Sequence, residues 1–397
     1  MARLALLALA VLLARKFGPE DYGAFTFGSG AALLAAQVGV LGWPMLMNRL
    51  IPGMLKERDW GLLKGLRDAG DVVVLVAGLA FTALLLGLAV LFPHLGIGFV
   101  LGAVLVIPFA FGVLRRQQLA SLRRPAWGLI MDQGFGAILT IAVLLMIGMG
   151  TITEVTLFFG GAVLLGTIIA TVMVRRLLPA EVAKATRRVQ FRLWMGMALP
   201  MLVGMSSKLL MNKTDVLMLA PLSDMHETGL YGAAFRITYL LTFPQVVMMS
   251  VVTPMLSEAF THGRTDDARR LVRAALLFAF VTAVPLSVPL IFFPEWVMTG
   301  LFGPQFADAA PVLVLLTIGQ LAASLSIPFQ SSLTMGGREK VYGVLNLSAL
   351  AVHAAINLAL IPLYGAVGAA IATLFIALVL LVSQILLNRP VLIKGRL

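Results

Sequence analysis

Positive charge in this 397-residue chain falls into alternate gaps between apolar stretches, of which twelve are legible. Numbered from the N-terminus, the even gaps hold Arg49, Lys56, Arg58, Lys64 and Arg67; Arg115, Arg116, Arg123 and Arg124; Arg175, Arg176, Lys184, Arg187, Arg188 and Arg192; Arg264, Arg269, Arg270 and Arg273; and Arg338 and Lys340. The odd gaps hold only Arg15 and Lys16. Basic residues in short loops stay on the cytoplasmic side of a membrane. The alternation therefore predicts an all-α polytopic membrane protein with an even number of crossings and both termini in the cytoplasm.

Composition agrees. The chain is 60% hydrophobic and 12% charged, outside the range of an ordinary soluble domain. Its formal net charge of +12 is divided among short loops rather than gathered on one face, so it reads as topology and not as a nucleic-acid surface. Those loops attract anionic lipid headgroups by about 1 kcal/mol per basic residue. The chain has no cysteine, which excludes disulfide and thiolate chemistry. His94, His226, His262 and His353 show no metal-ligand spacing. No Walker loop and no dinucleotide fingerprint is present, so no cofactor, metal or nucleotide is expected. Transport by such a chain would draw on an ion gradient, a substrate gradient or a partner.

A spanning helix needs about 20 apolar residues. The spans read as 2–14, 24–47, 72–92, 95–114, 126–148, 155–174, 193–219, 230–257, 272–293, 306–333, 341–362 and 366–388. The first is short against a hydrocarbon core of about 30 Å and reads as truncated, with a cleaved signal peptide as the alternative. The stretch 258–273 sets Ala268, Leu271 and Val272 beside Arg264, Asp267, Arg269, Arg270 and Arg273, a pattern that reads as an interfacial helix. Four short matches recur in order at a nearly constant offset. They are Tyr22-Gly23-Ala24 with Tyr231-Gly232-Ala233, Pro44-Met45-Leu46 with Pro254-Met255-Leu256, Ile107-Pro108-Phe109 with Ile327-Pro328-Phe329, and Thr156-Leu157-Phe158 with Thr373-Leu374-Phe375. The repeat is six helices long, which gives two bundles of like topology related by an axis along the membrane normal. The expected domains are an N-terminal bundle, 1–178, a basic linker, 179–192, and a C-terminal bundle, 193–397.

Charges inside the spans carry the functional reading, because each costs at least about 2.5–3.5 kcal/mol there and needs a partner or a wet cavity. They are Lys208, Lys213, Arg236, Asp132 and Asp215. Lys208, Asn212 and Asp215 share one face of helix seven. Asp215 and Arg236 lie at similar depth, about 6–9 Å below the outer helix ends at about 1.5 Å per residue. Two readings are open for them, a structural salt bridge or an anion-binding or protonating group. Asp132 is open between a pair with an Arg of 115–124 and a coupling-ion carboxylate. Asn346, His353 and Asn357 share a face of helix eleven, and Gln320, Ser324 and Ser331 a face of helix ten. Such stripes usually serve hydrogen bonds between helices.

At this point a resemblance appears. Arg15-Lys16-Phe17-Gly18-Pro19-Glu20-Asp21-Tyr22-Gly23 is similar to the signature after helix one in bacterial polysaccharide flippases. These are the O-antigen, capsule and exopolysaccharide exporters of the multidrug/oligosaccharidyl-lipid/polysaccharide exporter superfamily. Lys213-Thr214-Asp215-Val216-Leu217 and Gly229-Leu230-Tyr231-Gly232 to Arg236 resemble its helix seven to eight passage. Leu301-Phe302-Gly303-Pro304 resembles the motif before helix ten, and Ile361-Pro362-Leu363-Tyr364-Gly365 the helix eleven to twelve turn. Two departures stand out: the truncated first helix, and twelve helices where lipid II flippases of the superfamily usually have fourteen. The resemblance implies a non-enzymatic flippase in the bacterial inner membrane that moves an oligosaccharide on an undecaprenyl pyrophosphate carrier. Membrane lipids, a polysaccharide polymerase and other biosynthetic proteins are the implied partners, with no nucleic acid. A pyrophosphate needs cations in a shielded cavity. The residues expected to meet substrate are Arg236, Lys208, Lys213, Arg49 and Asn212, with Asp215 and Asp132 in ion coupling or gating. The alternatives are a multidrug extruder of the same superfamily and a membrane-embedded polymerase or ligase.

Overall fold

The computed structural model describes residues 2–148 and 150–389, with the side chains of Ala2, residues 203–209 and Asn212 outside the described set. Helices follow one another in the order α1 (Ala2–Gly39), α2 (Trp43–Glu57), α3 (Trp60–Leu91), α4 (Gly96–Ser121), α5 (Pro125–Leu129), α6 (Phe135–Met146), α7 (Ile152–Leu177), α8 (Ala180–Lys184), α9 (Phe191–Leu222), α10 (Met225–Thr238), α11 (Phe243–Thr261), α12 (Thr265–Phe292), α13 (Pro294–Phe302), α14 (Ala310–Met335) and α15 (Glu339–Arg389). No strand occurs among the described residues. Only helices satisfy every backbone polar group within one segment, as lipid requires.

Among the described residues, eight helices are long and apolar enough to cross a membrane, and α1 with α2 forms a ninth, bent by 46°. Two of these are double. The 51-residue α15 would rise about 77 Å if straight, far more than one bilayer, and it turns at Gly365. α1 turns at Gly18 (φ 81°, ψ 178°) immediately before Pro19. A glycine adopts that backbone freely, and proline is suited to the first turn of the helix that follows. With α9 counted as a further span, the crossings number twelve, an even number as the charge alternation predicts.

The chain divides into two compact units, Met1–Lys213 and Thr214–Leu397. Packing within them inverts the soluble pattern. In α12, Ala268, Val272, Ala275, Ala279, Ala283 and Ser287 form a buried stripe at helical spacing, while Leu277, Phe280, Val281 and Leu286 are exposed. Lipid is as apolar as leucine, so helix association rests on close approach of small residues.

Three expectations need correction. The stretch 258–273 is not a separate interfacial helix. Its first residues end α11, a turn follows, and α12 begins at Thr265, with Ala268 and Val272 fully buried against Leu256 and Phe260. The second span does not run straight from 24 to 47, because the chain breaks at Leu41 (φ 48°) and Gly42 (φ 75°) before Trp43 and Pro44 start α2. Helices also outrun their apolar stretches. α3 starts at Trp60, capped by Asp59, whose side chain accepts from the Leu62 N–H at 3.1 Å.

The turn inside α15 is closed by a carboxylate. Glu227 Oε2 accepts from the Ala366 N–H at 2.7 Å, satisfying an amide at the start of the second half of α15. Gly365 sits at φ 53°, and a side chain there would run into the Glu227 carboxylate. Glu227→Ala is expected to cost about 1.5–3 kcal/mol, the worth of a hydrogen bond to a charged group. Amide exchange of the 362–370 segment should accelerate by one to two orders of magnitude at that cost; unchanged exchange would show that the clasp contributes nothing.

Candidate functional site

A buried polar cluster within the C-terminal unit centres on Asp215. α9 delivers the carboxylate, α10 delivers Tyr231, and the two halves of α15 deliver His353 with Asn357 and then Thr373. Asp215 Oδ1 accepts from Asn357 Nδ2 at 2.7 Å and lies 2.9 Å from His353 Nε2. Oδ2 accepts from the Tyr231 hydroxyl at 2.6 Å and from Thr373 Oγ1 at 3.0 Å. The two hydroxyls are 3.1 Å apart, and Thr373 Oγ1 is 3.4 Å from His353 Nε2. The Asp215 and His353 side chains are each 3% exposed; Tyr231 and Asn357 are buried. Four donors converge on one carboxylate, which is how a buried charge is made tolerable. Two polar atoms meet no hydrogen-bond partner among the described residues, His353 Nδ1 and Asn357 Oδ1.

The expected Asp215–Arg236 pairing is not what the structure shows. The carboxylate is met by His353, Asn357, Tyr231 and Thr373, and Arg236 is not among its contacts. Equal depth on adjacent helices did not fix which residues face each other. Arg236 lies more than a turn beyond Tyr231 on α10, half-buried and engaged in an interaction of its own. Lys213, two residues before Asp215, is half-buried and also engaged. The side chains of Lys208 and Asn212 lie outside the described residues. Arg49 belongs to the N-terminal unit and is exposed on α2.

Asp132 lies in a π-helical segment, Ile130–Gly134, between α5 and α6. Such bulges recur at functional positions in helices. It pairs with Arg116, Nη1 to Oδ2, at 3.1 Å, so the Arg of the 115–124 stretch is its partner. Its second oxygen, Oδ1, meets no partner among the described residues. At the preceding residue of α4 a second pair was not foreseen. Arg115 is buried, with 2.7 Å from Nη1 to Asp71 Oδ1, and it donates to Thr171 Oγ1 and to Gln118 Oε1, each at 2.8 Å. Both pairs tie helices of the N-terminal unit together. Among the described residues no group of three or more His, Cys, Asp or Glu could hold a metal ion.

Residues 200–359 match the MatE family profile, a stretch that contains Asp215, Tyr231, His353 and Asn357. An uncharacterized membrane protein of Methanocaldococcus jannaschii is 22% identical over 121 residues, 30% of this chain. The chain spans about a quarter of that relative's length, 24%. Two solved structures superpose over nearly the whole chain. An inward-facing multidrug resistance MATE family transporter of the MOP superfamily matches with a TM-score of 0.78 at 16% identity, covering 100% of this chain and 95% of that one. The lipid II flippase MurJ, in an inward closed conformation, matches with a TM-score of 0.71 at 14% identity, covering 99% and 88%. The chain is a multi-span integral membrane protein with a twelve-helix, two-bundle fold like that of the MATE transporters, and MurJ shares that fold over 88% of its own length.

Proposed function

We propose that the chain is a flippase that carries a lipid-linked oligosaccharide, on an undecaprenyl pyrophosphate carrier, from the inner to the outer leaflet of the bacterial inner membrane. It works by alternating access, driven by an ion gradient, with both termini in the cytoplasm. The fold does not choose between this activity and multidrug extrusion, since proteins of both kinds share it. The observation that carries the reading is the motif at 15–23. Its Gly18-Pro19 centre is the kink that divides α1, and the resembled signature follows helix one in those flippases. The pyrophosphate would be met by cations of α9 and α10, with Arg236 first, and Asp215 would act in coupling. A polysaccharide polymerase and other biosynthetic proteins are the fitting partners.

The test is flipping in reconstituted liposomes. A short-tailed polyprenyl-pyrophosphate oligosaccharide is scored for leaflet exposure with wild type and Arg236→Ala. Exposure should require the protein and fall about ten- to a hundredfold in the variant, the value of one charge-assisted hydrogen bond of roughly 1.5–3 kcal/mol. Efflux of a cationic dye with no exposure of the lipid would replace this reading with the extruder.

A further inference from the structure

We propose that the end of the N-terminal unit where α2, α4 and α7 finish holds one anionic phospholipid. The site belongs to that unit alone and is independent of what the chain transports.

A cavity of about 310 Å³ opens where the three helices end. Pro52 and Leu55 of α2, Ser121, Leu122 and Arg123 around the end of α4, and Leu177, the last residue of α7, line it. Its size is at the lower end of the range for small-molecule sites, roughly 300–1,000 Å³. The lining is mostly apolar, and Leu122 packs on the buried cluster of Leu119, Ala170 and Val174. The Ser121 hydroxyl is already engaged, donating to the Gln118 carbonyl at 2.7 Å. Arg123 is the one charged side chain of the lining, so a ligand meets a cation beside apolar walls.

The surrounding charge is almost all of one sign. Lys56 and Arg58 end α2, Arg123 and Arg124 follow α4, and Arg175 and Arg176 lie in the last turn of α7. All six are exposed, and none makes an ion pair or a side-chain hydrogen bond among the described residues. Glu57, exposed on α2, is the only acid in segments 52–58, 121–124 and 174–178. Arg264, by contrast, meets Glu258 and Asp267 before α12. Like charges gathered at one cavity repel until an anion sits among them. Trp127, exposed at the start of the next helix, marks this end as lying at headgroup level, where tryptophan is enriched.

The backbone singles out two of these arginines. Arg58 and Arg123 adopt φ 58° and 60°. Each sits just past a helix in the left-handed position that closes it, and the next amide reaches back. Asp59 N–H donates to the Met54 carbonyl at 3.0 Å, and Arg124 N–H to the Leu119 carbonyl at 2.8 Å. Glycine is the usual residue there, because a β-carbon disfavours the conformation. Among the described residues Leu41 is the only other non-glycine with positive φ. Helix closure therefore does not account for the two guanidinium groups, whereas a ligand held by them does.

A phosphodiester offers acceptor oxygens that arginine grips with its planar fork. Its glycerol and first acyl carbons would cover Leu55, Leu122 and Leu177, which a free phosphate would leave bare. The headgroup must carry net negative charge, since the ammonium of phosphatidylethanolamine would face six cations.

Native mass spectrometry of the full-length protein, titrated with phosphatidylglycerol and with phosphatidylethanolamine, tests the site. The first phosphatidylglycerol should bind several-fold tighter than the second, and tighter than phosphatidylethanolamine. Arg123→Gly should weaken that first step about tenfold, the loss of one charge-assisted hydrogen bond. Arg273→Gln, which removes one exposed charge from α12, should leave it unchanged. Glycine suits the backbone at 123, so Arg123→Gly should melt no lower than wild type in phosphatidylcholine nanodiscs. In phosphatidylglycerol nanodiscs it should melt lower, because a bound lipid stabilises only the wild type. Equal losses in Arg123→Gly and Arg273→Gln would mean diffuse attraction without a site. Lower melting in both lipids would mean that Arg123 serves the fold. Displacement by glycerol phosphate would assign the cavity to a free phosphate, and tighter binding of a polyprenyl pyrophosphate would assign it to the transported lipid. Each of these outcomes overturns the proposal. A protein that flips no lipid but binds phosphatidylglycerol as described would end the flippase reading and keep the site.

Discussion

Asp215→Ala is expected to destabilise the protein by roughly 3–5 kcal/mol, the cost of removing one partner from a buried charged pair. The carboxylate accepts from Tyr231, Asn357 and Thr373 and pairs with His353. Alanine leaves all four groups facing one another in a site closed to water, and each stranded polar group costs about 1–3 kcal/mol. The loss is shared, because the neighbours re-pair in part, so the sum of the individual penalties is not reached. Asp215→Asn keeps one acceptor oxygen and the shape of the side chain, and should fall between wild type and alanine. Thermal unfolding in detergent, followed by tryptophan fluorescence, reads the order. Three equal melting temperatures would mean that the cluster does not hold α9, α10 and α15 together.

That site shows what sequence alone conveyed and where it stopped. Asp215 stood out because an acid inside an apolar span demands an explanation. His353 and Asn357 were legible as one stripe of helix eleven. Helical periodicity gives the face a residue occupies, however, and not the helix that face meets. Tyr231 and Thr373 appeared as members of the internal repeat, Tyr231 also within the resembled helix seven to eight passage, and their counterparts in the first half are Tyr22 and Thr156. Moving Asp215 by the offset of the tyrosines lands on Leu6, so the repeat predicts the frame of the site in both halves and its charge in one. The Arg236 pairing went wrong for a related reason. Depth along two adjacent helices left rotation about each axis undetermined, and helices eleven and twelve, distant in sequence, supplied the partners.

The fold was more accessible, because topology in a membrane is imposed by two strong terms, apolar length and the placement of positive charge. Those terms report where lipid lies and not where a helix ends. α3 and α4 continue past their apolar stretches, which is why Asp71 and Arg115 were assigned to loops. They turned out to form a pair between two helices, its arginine buried and its aspartate half-buried. The break in helix two was hidden for a different reason. A continuous apolar run reads the same whether straight or bent, and Leu41 gives no sign of a positive φ.

That break makes Gly42→Ala the second substitution with a large expected effect. Gly42 adopts φ 75°, where a β-carbon costs about 1 kcal/mol. A β-carbon built there would also overlap the carbonyl group of Ala198 on α9, backbone that has no flexible end to move aside. Overpacking of this kind typically adds about 1–3 kcal/mol. The stake is the position of α2, whose first residue, Trp43, is fully buried and donates its indole N–H to the Leu66 carbonyl at 3.1 Å. Trp43 also lies edge-on to Trp194, ring centroids 6.2 Å apart. Shifting the chain at Gly42 pulls on each of these contacts. The expected result is a loss of about 2–4 kcal/mol, seen as a lower melting temperature and a changed tryptophan emission. Gly53→Ala is the matched control. It lies on α2 itself with no atom within 4 Å of the new β-carbon, and it should gain up to about 1 kcal/mol from helix propensity. Equal melting temperatures for the two variants would mean that the chain relaxes freely at residues 41 and 42, and that the bend in helix two is not held by the close approach to Ala198.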